Sequence, residues 1–214
     1  MADGETPRQR GFIAISGTGR AGTTFLVELL TGLGLDTGFT PGDFPLMEEG
    51  KAGLEWSGVG LPTSRIFKAP AFCDLVDEFI ARGGRLDHAI IPVRDFSAAA
   101  ASRARVQRAL TGNDGGTARV AGGLWDTEYA AEQEAVLRLK FTNLVAALTR
   151  HDVPMKFLAF PRLVQDAEYL HGKLNFRIPN IDLARFRAVF KATVRAEWVH
   201  TFDTTSSELH LTSD

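Results

Sequence analysis

A glycine-rich turn at residues 16–24 constrains the fold of this chain more than any other feature. Its sequence is Ser-Gly-Thr-Gly-Arg-Ala-Gly-Thr-Thr, and it follows the apolar run at residues 12–15, which is typical of a buried strand. Leucines at helical spacing come directly after it. At such a junction, backbone N–H groups and the positive end of the helix dipole face the turn. The segment therefore predicts a strand, a tight turn and a helix that bind an anion, with a phosphate group as the natural ligand.

Strands and helices alternate along the rest of the chain. Further strands are predicted at residues 65–68, 88–93 and 155–160, and helices at residues 72–82, 97–110, 127–150, 162–172 and 182–195. Pro92 donates no ladder hydrogen bond, so it is predicted to lie near the end of its strand. The alternation predicts a three-layer α/β fold of the P-loop nucleoside triphosphate hydrolase type, with a mainly parallel sheet flanked by helices.

Two stretches rich in glycine and proline interrupt this alternation. Residues 36–63 are predicted to form a long excursion with one short helix, and residues 111–126, with five glycines, a mobile loop. Both ends of the chain are polar, and one domain is predicted between them, at residues 11–200. Residues 1–10 are predicted to be a disordered lead-in and residues 201–214 a polar tail.

The composition excludes several classes of protein. The 214 residues carry a net charge of −2, which argues against a uniformly basic nucleic-acid binder. Cys73 is the only cysteine, so neither an intrachain disulfide nor a cysteine-based zinc site can form, and the histidines show no metal-ligand spacing. No apolar run reaches the roughly 18–20 residues that span a bilayer, and the first ten residues lack a hydrophobic signal core. We therefore expect a cytoplasmic protein with neither a nucleic acid nor a membrane as its partner.

The glycine turn also satisfies a dinucleotide-binding pattern. Gly17, Gly19 and Gly22 have the G-x-G-x-x-G spacing, and Asp36 follows Gly17 by 19 residues, near the position of a ribose-binding acid. However, residues 34–38 make a poor second strand because glycines enclose them and no β-branched core is present. An NAD(P)-dependent oxidoreductase is one alternative.

A second alternative is a small-molecule kinase. Gly17 and Gly22 have the Walker A spacing, with Thr24 in the Ser/Thr position. Thr23 stands where the phosphate-bridging lysine belongs, so phosphoryl transfer would lack its main cation.

Two motifs together resemble the sulfotransferase family. Residues 20–26, Arg-Ala-Gly-Thr-Thr-Phe-Leu, resemble the loop by which that family grips the 5′-phosphosulfate of its donor, PAPS. Arg94 at a strand end and Ser102 in the next helix resemble its 3′-phosphate element, in which an arginine fork and a hydroxyl hold the phosphate. A weaker match is residues 160–166, Phe-Pro-Arg-Leu-Val-Gln-Asp. The neighbouring Arg103, Arg105 and Arg108 are predicted to form a solvated helix face.

The resemblance implies roles for individual residues. The cofactor-binding set toward PAPS, and its product PAP, is Gly19, Arg20, Ala21, Gly22, Thr23, Thr24, Arg94 and Ser102. Lys68 matches a family lysine at the end of a strand, but Pro70 stands where cytosolic members have their histidine base. Bacterial and Golgi-type members use a glutamate after the first helix instead, which here means Glu48, Glu49 or Glu55, with Glu49 preferred.

The resemblance thus implies an enzyme that transfers a sulfuryl group from PAPS, without a metal, to a hydroxyl of a small molecule or carbohydrate. Residues 36–63 and 111–126 would shape its acceptor pocket. A non-catalytic nucleotide-binding module that kept the glycine turn and lost its base remains an alternative from another class.

Overall fold

The computed structural model describes residues 11–47, 52–176 and 180–195. The predicted lead-in and tail, residues 1–10 and 201–214, lie outside these ranges, so the domain limits stay a prediction. The described strands, in chain order, are β1 (Gly11–Ile15), β2 (Leu46–Met47), β3 (Ala52–Gly53), β4 (Ile66–Lys68), β5 (Arg85–Val93) and β6 (Met155–Ala159). The described α-helices are α1 (Thr23–Gly32), α2 (Val76–Ala81), α3 (Phe96–Thr111), α4 (Gln133–Arg150), α5 (Ala167–Leu174) and α6 (Leu183–Thr193).

Four of these strands form one parallel sheet in the order β4-β1-β5-β6. β1 is buried along its whole length because both faces of the sheet are covered, which explains its continuous apolar run. Pro92 is the second-last residue of β5 and pairs with Leu158, so its predicted place near the strand end is confirmed.

Side chains alternate across β1 and divide the core into two layers. Ile13 and Ile15 pack with α1, α5 and α6 on one face of the sheet. Phe12 and Ala14 pack with α2 and α4 on the other face. Helix α3 packs on α4 through small side chains of α3 against Leu137. The predicted three-layer α/β architecture, a parallel sheet flanked by helices, is therefore confirmed.

The chain reverses its winding direction between β1 and β5. From β1 it passes to β4 on one side, and from β4 it crosses to β5 on the other side of β1. The connections that leave the carboxyl ends of β1 and β5 therefore diverge and leave a crevice, the usual ligand position in such sheets. The glycine turn follows β1 and Arg94 follows β5, so both lie at this crevice.

Several predicted helices begin later than expected. The predicted helix at residues 72–82 is a 3₁₀ turn, Pro70–Asp74, followed by α2; a proline suits the first turn because its φ angle is preset. A 3₁₀ turn also precedes α4 and another precedes α5. In the excursion, the described residues 36–47 and 52–63 contain the short β2–β3 pair, and the short helix predicted there is absent from them. Within the described ranges, no helix combines the length and apolar composition that crossing a membrane requires.

Candidate functional site

The glycine turn forms the strand–turn–helix junction that the sequence predicts. Gly22 is the N-cap of α1 with φ +84°, a left-handed conformation that suits glycine because it has no Cβ. No side chain caps this helix start, and its first turn holds no acidic residue. The first intrahelical bond runs from the N–H of Leu26 to the carbonyl of Gly22. The N–H groups of the first turn and the positive helix end thus remain directed at the turn, as an anion site requires.

Arg20 and Arg94 meet at this turn. The Arg94 Nη1 atom donates a hydrogen bond of 3.0 Å to the carbonyl oxygen of Arg20. The Arg20 Nε atom lies 3.3 Å from the hydroxyl of Ser102, to which it donates. Arg20 itself has φ +55°, a conformation that a non-glycine residue adopts only where its surroundings hold it. The motif at residues 20–26 and the pair Arg94 and Ser102 are therefore joined by direct contacts.

A cavity of about 380 Å³ opens at the crevice beside these residues. Eight of the nine sequence-predicted site residues that the structure describes line it, and Ala21, the ninth, is buried. Among the described residues, its charged lining comprises five cations and two carboxylates, an excess of three positive charges. These are Arg20, Lys68, Arg94, Arg103 and Arg195, with Glu28 and Glu55.

Burial lowers the pKa values of the two arginines, and the neighbouring positive charges lower them further. Burial lowers the pKa of Arg20, and the positive charges of Arg94 and Arg105 lower it further. Burial also lowers the pKa of Arg94, with Arg105 adding to the effect. Each of these two guanidinium groups has lost hydrating water and lies close to other positive charges. A bound anion would offset both unfavourable effects. Such a site is suited to a ligand with several negative charges.

Lys68 lies at the carboxyl end of β4, with its side chain buried. Its Nζ atom donates to the hydroxyl of Thr24 at 2.8 Å and to the carbonyl of Gly53 at 2.6 Å, and it lies 2.9 Å from a carboxylate oxygen of Glu55. Burial lowers the pKa of Lys68, while the charge of Glu55 acts in the opposite direction. Lys68 thus ties the start of α1 to the hairpin of the excursion and brings its ammonium group to the cavity wall.

Arg103 corrects the prediction of a solvated arginine face on α3. Arg103 is only 7% exposed, whereas Arg105 and Arg108 are exposed as predicted. Arg103 donates to the carbonyl of Thr18 at 2.8 Å and to that of Gly123 at 2.7 Å. Burial, with a smaller effect of Arg20, lowers its pKa to about 10.

A helical count from the small side chains of α3 identifies this buried position. Arg103 follows Ala99 by four residues and precedes Val106 by three, and both of these are buried. Residues at that spacing share one helix face. The sequence analysis grouped Arg103 with Arg105 and Arg108 as one solvated face and therefore missed its burial.

Residues 111–126 form one wall of the cavity. Most of this segment is neither helix nor strand. The Gln107 side chain, fully buried on α3, donates to the carbonyl of Ala118 at 2.9 Å and accepts from the N–H of Leu124 at 3.2 Å. Gln133, at the start of α4, accepts from the N–H of Trp125 at 2.6 Å. This loop, predicted only as mobile, is thus held by buried amide side chains, and Leu124 and Trp125 line the cavity.

The carboxylates near the cavity differ from those expected. Glu49, the preferred base, lies outside the described residues, as does Glu48. Glu55, the third candidate, contacts Lys68. Glu28 on α1 was missed: it is 5% exposed, lies 3.1 Å from Arg195, and burial raises its pKa although Arg195 opposes the shift. Its signal in the sequence is a lone charge inside an otherwise uncharged helix.

The geometry weakens the dinucleotide interpretation. Asp36 accepts hydrogen bonds from the N–H groups of Arg65 and Ile66, the latter through its backbone carbonyl. Ile66 begins β4, so Asp36 lies at the amino ends of the parallel strands, opposite the glycine turn. A ribose-binding acid belongs at the carboxyl ends.

The geometry also weakens the kinase interpretation. Asp95, the acid that follows β5, caps α3 by accepting from the N–H of Ala98 at 2.8 Å.

Comparison with known proteins extends this description. No model of a protein family matches the sequence, and no curated protein matches it. Among solved structures, the chain is similar to the sulfotransferase domain from the curacin biosynthetic pathway, with a TM-score of 0.52 and 15% sequence identity. The similarity covers 91% of this chain and 81% of that domain. The chain therefore shares the overall fold of a sulfotransferase domain, the fold that the sequence motifs imply.

Proposed function

We propose that this chain is a sulfotransferase of the bacterial or Golgi-like type, which transfers a sulfuryl group from PAPS to a hydroxyl of a small molecule or carbohydrate. One observation carries the proposal. Arg20, from the turn after β1, and Arg94, from the end of β5, line the same cavity and are joined by a hydrogen bond. The shared fold with a sulfotransferase domain supports it independently.

The residues of the cavity suit a ligand that carries several anionic groups. The excess of positive lining charge and the uncapped start of α1 suit phosphate and sulfate oxygens. In this proposal, residues 19–24 hold the 5′-phosphosulfate through their backbone N–H groups, the Arg20 guanidinium and the hydroxyls of Thr23 and Thr24. Arg94 and Ser102 hold the 3′-phosphate.

When bound, PAPS supplies an activated sulfuryl group whose bond to phosphate breaks, with the electron pair staying on the phosphate oxygen, as the acceptor oxygen bonds to sulfur. Arg20 and Lys68 stabilise the negative charge on the oxygens involved, because preorganised cations in a water-poor site act strongly on developing charge. Glu49 accepts the proton of the acceptor hydroxyl. Glu55, whose carboxylate contacts Lys68, is the alternative among the described residues.

Pro70 favours a second candidate function, a nucleotide-binding module without catalysis. Pro70 begins the 3₁₀ turn after β4 and lines the cavity at the position where cytosolic sulfotransferases have their histidine base. The anion-binding residues would be the same in such a module, so binding and transfer have to be measured separately.

A thermal-shift panel with PAP, NAD, NADP, ATP and GDP tests the proposal. A ligand at 100 times its Kd stabilises the folded state by about 2.7 kcal/mol, which for a chain of this size raises Tm by roughly 5–10 °C. PAP is expected to produce this shift and the other nucleotides only a small one. Stabilisation by NADP or ATP without stabilisation by PAP would overturn the proposal.

Transfer is then followed by mass spectrometry as PAP formed from PAPS in the presence of phenols, sugars and lipid alcohols. Acceptor-dependent release of PAP supports the enzyme. A PAP shift without transfer to any acceptor favours the non-catalytic module.

A further inference from the structure

Glu28 is a buried carboxylate in the cavity wall that the proposed reaction does not use. It lies in the middle of α1, is 5% exposed and lines the same cavity as the glycine turn. It follows Thr24, another lining residue, by four positions, so the two side chains lie on one face of the helix. The carboxylate therefore lies about one helical turn from the helix start at which an anion is expected to bind.

Arg195 forms an ion pair with this carboxylate. Its Nη1 atom donates to the Oε1 atom of Glu28 at 3.1 Å. Arg195 comes two residues after the end of α6, and it lines the cavity together with Thr193 and Val194. Its side chain is partly exposed, whereas that of Glu28 is buried. The pair thus joins α1 to the residues after α6 at the cavity, and it leaves Arg195 accessible to an anion there.

Two cations from neighbouring elements act on Glu28. Burial raises the pKa of Glu28, and the positive charges of Arg195 after α6 and of Lys68 on β4 oppose this shift. Lys68 is itself paired with Glu55 at 2.9 Å. The carboxylate of Glu28 therefore depends mainly on Arg195 for charge compensation. Loss of that compensation would favour the protonated, neutral form of Glu28, because an unpaired carboxylate is unstable when it is buried.

An anion bound in this cavity would remove compensation from Glu28. It would attract the guanidinium of Arg195, and its own negative charge would repel the carboxylate. Both effects favour uptake of a proton by Glu28. By thermodynamic linkage, the protonated protein must then bind the anion more tightly than the ionised protein does.

We propose that Glu28 is an internal counter-anion, a carboxylate that compensates the charge of Arg195 until a sulfate or phosphate group of the ligand does so. As that group binds to Arg195, Glu28 takes up one proton from solvent, which forms its O–H bond. The inference deepens the proposed function, on which it rests for the identity of the ligand. It adds a form of regulation, because binding of the donor becomes dependent on pH.

The test replaces the charge of Glu28 and keeps its shape. Glu28→Gln is neutral at every pH, and its amide oxygen can still accept the hydrogen bond from Arg195. Sulfate is the probe, because it does not titrate between about pH 5.5 and 8, so any pH dependence comes from the protein. Its binding is followed by NMR of the backbone amides of residues 19–24 at constant ionic strength. Glu134→Gln, which removes the charge of an exposed partner of Arg138, is the matched control.

We expect wild type and Glu134→Gln to bind sulfate at least about fivefold more tightly at pH 5.5 than at pH 8, the lower end of the usual coupling between two sites. Glu28→Gln should bind sulfate at pH 8 at least about fivefold more tightly than wild type, with an affinity constant within about twofold over this range. PAP should also bind Glu28→Gln more tightly at pH 8. An ion pair with a purely structural role would not produce tighter binding when its charge is removed.

Two further measurements examine the partners of the proposed exchange. Adding Arg195→Gln to Glu28→Gln should weaken sulfate binding, because the anion then lacks the cation that Glu28 releases. Calorimetry of sulfate binding to the wild type, in two buffers of different ionisation enthalpy at one pH, should show net proton uptake. This measurement tests the inference even if Glu28→Gln fails to fold.

The outcomes separate this inference from the proposed function. Equal or weaker sulfate binding by Glu28→Gln at pH 8, or wild-type binding without proton uptake, would overturn the inference while PAP binding still supports a sulfotransferase. Tighter sulfate binding by Glu28→Gln without any stabilisation by PAP would support the internal counter-anion and overturn the proposed function.

Discussion

The guanidinium of Arg94 donates a 3.0 Å hydrogen bond to the backbone carbonyl of Arg20, a residue 74 positions earlier in the chain. The bond joins the end of β5 to the turn after β1. Its acceptor, Arg20, is a residue with positive φ. Arg94 therefore acts on the shape of the glycine turn as well as on the charge of the cavity. The predictions that follow use PAP as the ligand.

Arg20→Ala is expected to remove about half or more of the stabilisation of the protein by PAP. The change removes a charge-assisted contact of about 1.5–3 kcal/mol, which corresponds to a loss of roughly 10- to 150-fold in affinity. Tm with and without PAP measures it. Arg138→Ala, on the exposed face of α4, is the control and should keep the full PAP shift. An unchanged PAP shift in Arg20→Ala would remove Arg20 from the site.

The losses from Arg20→Ala and Arg94→Ala should not add. Because Arg94 bonds to the backbone of Arg20, its removal also loosens the turn that directs the Arg20 side chain. We expect the double variant to lose at least about 0.5 kcal/mol less PAP binding than the sum of the single variants. Isothermal titration of the four proteins of the cycle measures this coupling. Strict additivity would show that the two arginines act independently.

Arg103→Met is expected to destabilise the protein and to weaken PAP binding together. It leaves the carbonyls of Thr18 and Gly123 without their buried donor, at a cost of about 1–3 kcal/mol for each unsatisfied group. Urea unfolding measures the stability, and hydrogen exchange of residues 118–125 reports on the cavity wall. Arg105→Met, an exposed change on the same helix, should alter the unfolding free energy by no more than about 0.5 kcal/mol. Similar unfolding free energies for the two variants would contradict the role of Arg103.

PAP affinity should fall as the pH rises toward the alkaline range. Burial lowers the pKa of Lys68, so its ammonium loses its proton below the ordinary lysine value of 10.5 and the cavity loses a positive charge. Binding of an anion favours the protonated form, so the affinity is highest below the lowered pKa. Titrations at several pH values with Lys68→Arg as the comparison test this, since arginine stays charged and should flatten the dependence.

The same shift has a consequence for stability. In the window between the lowered pKa of folded Lys68 and 10.5, the unfolded chain binds the proton that the folded chain has lost. The contribution of Lys68 to the free energy of unfolding therefore rises with pH through this window. Urea unfolding at several alkaline pH values should show a shallower rise in Lys68→Met than in the wild type. Parallel curves would show that Lys68 does not contribute.

Glu49→Gln is expected to stop sulfuryl transfer while PAP affinity stays within about twofold. Loss of a general base typically costs about 10²–10⁴ in rate. Glu55→Gln should reduce the rate less, through the loss of its contact with Lys68. PAP release in the presence of an active acceptor measures both, with Glu78→Gln on the exposed face of α2 as the control. If Glu55→Gln is the more damaging change, the base is Glu55.

The strand, turn and helix around residues 12–33 and the parallel sheet were predicted well, because they depend on patterns among neighbouring residues. The apolar run at residues 12–15, the glycines after it and the leucines of α1 specify a strand, a turn and a helix within one short segment. The alternation of such segments gives the parallel sheet and its two covered faces. The helix starts were less accurate, because 3₁₀ turns such as Pro70–Asp74 satisfy the same apolar spacing over a few residues.

The burial of Arg103 shows why parts of the site escaped prediction. An arginine on a helix is usually solvated, and only the arrival of the glycine turn and of residues 118–125 around α3 surrounds Arg103 with carbonyl acceptors. Likewise, Glu55 meets Lys68 because the excursion folds back along β4, a contact that neither sequence segment encodes alone.

By itself, the sequence determined that an anion-binding turn would stand between a strand and a helix, because backbone angles, helix capping and the helix dipole are properties of neighbouring residues. Only the tertiary structure decided that Arg94 and Lys68 share a cavity with that turn and that Asp36 lies at the opposite end of the sheet. Strand order is the reason: it is selected by burial of both sheet faces among segments distant in the chain, so it brings together residues that no local pattern connects.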